Sequence, residues 1–252
     1  MKLEKQNSPD ITALIDDIAY WIRHQVKMAG VPGIVLGLSG GLDSSVAGAL
    51  CRRALGDGDA VRGLILPCHS DPLDKAHALL LAQRFDIATE TINLGPVFDL
   101  LVSLLPPGDQ LSVANLKPRL RMITLYYYAN ELGFLVVGSG NKSELLTGYF
   151  TKHGDGGVDL LPLGGLLKTE VRALGRALGL PAEILEKPPS AGLWDGQTDE
   201  GEMGISYEEL DRALVALQGS QTDDHSDEAI EKVRQMVSRS RHKRTPIPIY
   251  ER

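Results

Sequence analysis

The sequence predicts an α/β protein built on a doubly wound parallel sheet with helices on both faces. Two observations carry that prediction. Short apolar runs bounded by glycine alternate with helical stretches through the first half of the chain, which implies right-handed crossovers between parallel strands covered on both sides. The first of these runs leads into a Ser-Gly-Gly-Leu-Asp-Ser turn and then a helix, an arrangement whose backbone N–H groups can hold an anion.

The elements follow in order. Ser8-Pro9-Asp10 is a helix start, and Ile11, Leu14, Ile15, Ile18 and Ile22 recur at helical spacing until Gly30 stops the run. Residues 33–38 (GIVLGL) read as a buried strand and 44–55 as a helix. The alternation continues with a strand at 61–66, a helix at 72–85, a strand at 88–92, helices at 96–104 and 114–132, and a strand at 134–138 (FLVVG). Residues 147–168 are glycine-rich and too broken for regular structure, yet too long for a plain connector, and such loops often carry function. A helix at 169–178 precedes a second glycine- and proline-rich stretch, 187–204. Ser206 and Glu209 form a capping box that opens a helix to about 217, and 224–238 is the last helix. The tail RSRHKRTPIPIYER is basic and limited by its prolines.

With 252 residues, 43% hydrophobic and 23% charged, the chain is expected to fold as one domain over 1–252, which excludes disordered and fibrous architectures. Its net charge of -7 disfavours a grip on phosphate backbones, so no nucleic acid partner is expected. Cys51 and Cys68 cannot build a disulfide framework and lack metal-ligand spacing; buried free thiols in a reducing cytoplasm are the expectation. No apolar run approaches membrane-spanning length, and the N-terminus carries acids where a signal peptide needs an apolar core. A cytoplasmic protein without membrane contact is therefore expected, and no repeat or linker divides the chain.

The chemistry begins at Gly37-Leu38-Ser39-Gly40-Gly41-Leu42-Asp43-Ser44-Ser45. Glycines let backbone approach an anion closely, and the positive end of the following helix favours phosphate there. The loop lacks both the Gly-Lys-Ser/Thr ending of the Walker motif and the spacing of the dinucleotide fingerprint. An aspartate in an anion site repels phosphate unless a cation lies between them, so Asp43 predicts a divalent metal, most plausibly magnesium. The alternative is a tight strand-to-helix turn with Asp43 as a helix cap.

This loop resembles the pyrophosphate loop of the N-type ATP pyrophosphatases, which split ATP between the α and β phosphates. The loop alone does not choose among them. Residues 138–181, running from GSGNKSELLTGYFTKHGDGGVDLLPLGG through the helix that follows, are similar to the NAD synthetase family, as are KPPSAGLWDGQTDEGEMGISYEELD at 187–211 and NLKPRLRM at 115–122.

The resemblance implies an adenine nucleotide alpha hydrolase-like fold and a reaction: ATP-dependent amidation of deamido-NAD to NAD with ammonia, through an acyl adenylate. It puts ATP on Gly37, Leu38, Ser39, Gly40, Gly41, Leu42, Asp43, Ser44 and Ser45, with Ser139, Lys168 and Ser190. Asp43 and Glu144 would hold magnesium, and Arg119, Lys152, Asp159, His242 and Lys243 would contact the dinucleotide. Asp43, Lys168 and Asp155 are the catalytic candidates, with Asp155 or Asp159 accepting a proton from ammonium. The resemblance also implies a homodimer with the dinucleotide site at its interface, and residues 187–204 are expected to close over the intermediate as a lid. The glutamine-using relatives carry an additional amidase domain for which 252 residues leave no room, so free ammonia is expected.

Blander readings stand beside these. Glu144 could be a surface helix residue and Lys168 a solvated helix-start lysine. His153 is read as packing, and Tyr149, Phe150 and Trp194 as core residues or stacking platforms. Asp223, Asp224 and His225 read as a polar helix start rather than a metal site.

Overall fold

The computed structural model describes residues 10–56, 58–194, 196–219 and 227–251. Four strands, β1 (Ile34–Gly37), β2 (Val61–Ile65), β3 (Ala88–Thr91) and β4 (Leu135–Val137), form one parallel sheet in the order β3-β2-β1-β4. The register pairs Ile34 with Val61 on one side and with Leu135 on the other. Chain order runs outward from β1 to β3 and then jumps back to β4, so the direction of winding reverses between β1 and β4. A parallel bridge from Val137 to Leu160 extends the β4 edge.

Alternating side chains build a core on each face. Ile34, Leu36, Val61, Ile65 and Val137 face a layer made by α1 (Ile11–Ala29), α2 (Leu42–Leu55), α3 (Pro72–Arg84) and, later in the chain, α8 (Lys168–Ala177). Val35, Leu64 and Val136 face the opposite layer, where Leu94 and Phe98 of the α4 (Gly95–Leu104) region and Leu125 and Ala129 of α6 (Leu116–Leu132) pack. Helix α1 starts at Asp10, whose carboxylate accepts the Thr12 N–H at 3.0 Å, and ends at left-handed Gly30. Ser8 and Pro9 lie outside the described residues.

A third apolar cluster stands beside the sheet and joins Met203, Ile205, Tyr207, Leu210 and Leu214 to Val233. It holds together α7 (Lys142–Thr147), α10 (Asp199–Met203), α11 (Tyr207–Leu217) and α12 (Asp227–Arg239), with α9 (Ala182–Leu185) and α13 (Arg241–Arg244) completing the chain. The Ser206 capping box is present, with the Glu209 N–H bonded to Ser206 Oγ at 3.3 Å.

The structure corrects several expectations. The helix expected at 114–132 is present as α6, starting two residues later with Pro118 in its first turn, where a missing N–H costs nothing, and a separate short helix, α5 (Gln110–Ala114), precedes it. Helix α10 lies inside 187–204, capped by Thr198, and α7, α9 and α13 also went unpredicted, since helices of four to six residues are too short to display a 3.6-residue period. Residues 224–226 of the last expected helix, with Asp223, Asp224 and His225, lie outside the described residues. Both cysteines are buried and free, and burial pushes the Cys51 thiol up to about 12. No helix among the described residues is long and apolar enough to cross a membrane.

Ile22 of α1 is fully buried in the core that α1 shares with α2. Ile22→Ala should lower the unfolding free energy by about 2–5 kcal/mol in urea denaturation, the cost of lost burial plus a cavity; an unchanged midpoint would contradict this packing.

Candidate active site

Open α/β sheets bind ligands beyond the C-terminal ends of their strands where the winding direction reverses. Here that point lies between β1 and β4, and the loops leaving them carry Ser39 and Ser139. After β1 the chain turns through Gly40 at φ +73°, where an added Cβ would stand 2.1 Å from the Asp74 carbonyl oxygen. Both the left-handed backbone and the close approach of α3 therefore require glycine. Ser39 Oγ lies 2.9 Å from Ser44 Oγ, which also donates to the Gly41 carbonyl at 3.2 Å and accepts the Ser39 N–H at 3.2 Å. No side chain caps α2, so its leading N–H groups are left for an anion. Ser45 Oγ is buried without a hydrogen-bond partner.

Asp43 is not a helix cap. Its carboxylate points to Lys168, with which it forms a tight ion pair, and accepts a hydrogen bond from Asn141 Nδ2 at 3.0 Å. Lys168 Nζ also reaches Glu144 Oε1 at 3.3 Å and lies 4.8 Å from the centre of the Tyr207 ring. Asn141 and Glu144 close a capping box at the start of α7: the Glu144 N–H donates to Asn141 Oδ1 at 3.0 Å and the Asn141 N–H to Glu144 Oε2 at 3.1 Å. One asparagine thereby fixes both carboxylates.

Lys168 is 3% exposed, so the solvated-lysine reading is overturned, as is the surface reading of Glu144. Burial opposes the Lys168 charge, but Asp43 and Glu144 outweigh it and hold the ammonium above the ordinary lysine range. Burial pushes Glu144 up to about 8, with Lys168 pulling down and Asp43 pushing further up. The two carboxylates offer the hard oxygens that magnesium takes. Among the described residues no group of three or more His, Cys, Asp or Glu is placed to hold a metal unaided. Such a donor set fits a magnesium that completes its shell with phosphate oxygens and water.

The 187–204 stretch is fastened to the rest of the fold at several points. Lys187 pairs with Asp74, and Lys117 Nζ donates to the Leu193 carbonyl at 2.8 Å. Asp199 is buried and accepts from Tyr207 Oη at 3.0 Å and Tyr149 Oη at 3.2 Å. Burial raises the Asp199 pKa, against Lys168 and the two tyrosines. Ser190 is exposed at the rim of this stretch and accepts the Gly192 N–H at 3.1 Å, while Ser139 is half-buried behind β4.

Arg119, Lys152, Asp155, His242 and Lys243 form a second cluster where α6, the 149–155 turns and α13 meet. Arg119 donates to the Lys152 carbonyl at 3.3 Å, and Lys152 Nζ donates to the His242 carbonyl at 2.8 Å. Lys243 Nζ donates to the Gly148 and Phe150 carbonyls, both at 2.7 Å, and lies 5.4 Å from the Phe150 ring centre. Asp155 accepts the Thr151 N–H at 2.9 Å. Asp155 is exposed, yet the protein packed around it raises its pKa while Thr151 and Lys243 pull it down. Asp159 stands apart: it accepts the Val136 N–H at 2.7 Å and Tyr126 Oη at 3.0 Å, and with burial it pushes that phenol up to about 12. His153, expected to pack, is exposed at φ 59° in a left-handed turn before Gly154. Tyr149 does pack on the third cluster, with its hydroxyl turned to Asp199 and Glu202.

Asn141, Asp199 and Tyr207 were missed as site residues. The Asn-x-x-Glu spacing of a capping box was available for Asn141; Asp199 and Tyr207 reach the site only through the third cluster, which no local pattern announces.

The family model described as NAD synthase matches residues 14–247. A relative from Archaeoglobus fulgidus named NH(3)-dependent NAD(+) synthetase is 47% identical over 238 residues, 94% of this chain and 95% of that one. Among solved structures, NMN synthetase from Francisella tularensis is 37% identical with a TM-score of 0.87, over 96% of this chain and 98% of the other. NH3-dependent NAD synthetase from Campylobacter jejuni is 28% identical with a TM-score of 0.83, over 96% and 100%.

Asn141→Ala removes the cap of α7 and the hydrogen bond to Asp43 together. It should cost about 1–2 kcal/mol of stability in urea denaturation, and an unchanged midpoint would show that the box holds nothing in place.

Proposed function

The chain belongs to the NAD synthase family, and from that premise we infer that it is the ligase that amidates deamido-NAD to NAD with ATP and ammonia, through an acyl adenylate. The observation that carries this reading is the meeting of the glycine loop, Asp43, Glu144 and Lys168 at the point where the winding reverses. A carboxylate resists amidation because its leaving group would be oxide. A carboxylate oxygen of the substrate therefore attacks the α phosphorus of ATP; that P–O bond forms as the bond to the bridging oxygen breaks and pyrophosphate leaves. Nitrogen of ammonia then attacks the acyl carbon, AMP departs with its bonding pair, and one proton is released.

The loop N–H groups of α2, with Ser39 and Ser44, hold the phosphates, and Lys168 stabilises charge gathering on them. Asp43 and Glu144 would hold magnesium, which when bound neutralises the departing pyrophosphate. Arg119, Lys152, His242 and Lys243 line the dinucleotide side. Asp155, whose pKa is raised, binds ammonium and accepts its proton; Asp159, whose carboxylate is bonded to Val136 and Tyr126, is the weaker candidate. The 187–204 stretch, fastened through Asp199 and Lys187, serves as the lid that keeps water from the acyl adenylate.

The working form in this reading is a homodimer in the cytoplasm, with neither a nucleic acid nor a membrane partner. Leu100, Leu104, Ile123 and Tyr127 leave an apolar face exposed on α4 and α6. Arg119, Ile123 and Tyr127 recur every four residues along one stripe of α6, so pairing through that stripe brings the dinucleotide side to the interface. A second reading, formation of NMN from the corresponding mononucleotide, is favoured by the likeness to the Francisella tularensis protein.

Incubation with ATP, magnesium, ammonia and either deamido-NAD or nicotinate mononucleotide tests both. NAD, AMP and pyrophosphate in equal amounts are expected; NMN as the preferred product would favour the second reading, and ADP would overturn the adenylation chemistry. Asp43→Asn should cost on the order of a hundredfold or more in turnover while the protein stays folded, because the loop keeps its shape and loses its charge. Near-normal turnover would remove Asp43 from the mechanism.

Only neutral ammonia carries a free electron pair. The value of kcat/KM for total ammonia should accordingly rise with pH through the neutral range if ammonia enters as the free base, and a flat profile between mildly acidic and mildly alkaline conditions would exclude uptake of free ammonia in favour of ammonium deprotonated at Asp155.

A further inference from the structure

Helix α8 begins at Lys168 behind Leu167, an apolar residue that offers no side-chain oxygen to the first N–H groups of the helix. The first two of those donors are nonetheless satisfied, that of Lys168 by Ser143 and that of Thr169 by Asp211, more than forty positions away. Asp211 of α11 is buried, and its Oδ2 accepts both the Thr169 N–H at 2.9 Å and Thr169 Oγ1 at 2.8 Å. Its Oδ1 accepts a short hydrogen bond from Ser143 Oγ, and Ser143 Oγ in turn accepts the Lys168 N–H at 3.0 Å. Ser143 is fully buried in α7 and directly precedes Glu144, just as Thr169 directly follows Lys168.

We infer that Asp211 is a positioning residue for the reaction: a single carboxylate that clamps the start of α8 to α7 and so sets the distance between Lys168 and Glu144. Its two oxygens are taken up by Thr169 and Ser143, so it acts through its neighbours. Three donors converge on its two oxygens, and each belongs to a residue next to one of the two charged groups or to the relay between them. The carboxylate also faces the positive end of the α8 dipole, which favours its charge in this dry position. Helices α7 and α8 are joined through the irregular 148–167 stretch; beside the Asp211 clamp their starts share one backbone hydrogen bond, from the Lys142 N–H to the Leu166 carbonyl at 2.7 Å, which leaves the side-chain distance between Lys168 and Glu144 to the clamp. Ser206 and the third cluster hold Asp211 itself, since α11 packs on both α7 and α8.

The inference rests on the function proposed above, and the experiment separates the two. Asp211→Asn keeps the shape but replaces one acceptor with a donor, and Ser143→Ala deletes the relay alone. Each is measured for kcat, KM for ammonia, ATP affinity by calorimetry and Tm, beside Val26→Ala, a core truncation at the far end of α1. Positioning predicts that Asp211→Asn lowers kcat of the folded enzyme by about thirtyfold and Ser143→Ala by about tenfold, the scale of a sub-ångström misplacement, with ATP affinity and the KM for ammonia within about threefold. The double variant should fall little below Asp211→Asn, because both act through one relay. Val26→Ala should lower Tm and leave kcat unchanged. Wild-type kcat in Asp211→Asn, with Tm lowered, would reduce Asp211 to a residue of stability and overturn the inference; so would wild-type kcat in Ser143→Ala if Asp211→Asn does not fold. Silence of the wild type in the same assay would instead strike the proposed function, and the crystal structure of Ser143→Ala then decides: an unchanged distance from Lys168 Nζ to Glu144 overturns the clamp, and a lengthened one upholds it.

Discussion

The buried ammonium of Lys168 is the constraint from which the rest of this structure follows. A lysine that is 3% exposed loses its charge unless carboxylates replace the water it gave up. Asp43 and Glu144 do so, from segments a hundred residues apart in the chain. Removing one partner of a buried pair typically costs about 3–5 kcal/mol, so the fold and the site are bound to the same contacts. To bring Asp43 to the lysine, the chain must leave β1 through a turn that only glycine can make at residue 40. To bring Glu144, α7 must start at Asn141, which bonds Asp43 with the side chain that also caps the helix.

The charge balance of this cluster explains its chemistry. Two carboxylates share one ammonium, and they stand at the uncapped N-terminus of α2. The helix end attracts phosphate, while the two carboxyl groups present hard oxygens to a cation. In the proposed function both demands would be met by a phosphate chain with a divalent ion between it and the carboxylates. The sheet topology supplies the opening, because the crossover from β3 to β4 passes to the other face and leaves a crevice beside β1. The basic cluster of Arg119, Lys152 and Lys243, which the proposed function assigns to the dinucleotide, stands on α6, held by the second core, and on α13, held by the contact of Lys243 with the Phe150 ring.

What the sequence made legible was local in the chain. All four strands, the long helices and the anion loop could be read because periodicity and glycine spacing are properties of short windows. Asp43, Glu144 and Lys168 were readable through a resemblance, and the structure adds the contact that joins them. Short helices left no period to detect. Asp211 illustrates a deeper limit: in the sequence it is one acid in the amphipathic helix YEELDRALVAL, and its role as a distant cap depends on Leu167 having no oxygen to offer. Asp199 and Tyr207 are similar, being parts of a network that exists only after α10 and α11 pack. Asp159 was named from a motif, and its observed bonds to Val136 and Tyr126 give it a structural duty at the open edge of β4 as well.

Oxygen tracing tests most directly the proposed adenylation of a substrate carboxylate at the Asp43, Lys168 and Glu144 cluster. Deamido-NAD labelled with 18O at both carboxylate oxygens is turned over with ATP and ammonia, and the AMP is analysed by mass spectrometry. One carboxylate oxygen must leave with AMP if the acyl adenylate forms, so AMP carrying a single 18O is the predicted result. Unlabelled AMP, with NAD still produced, would contradict the account.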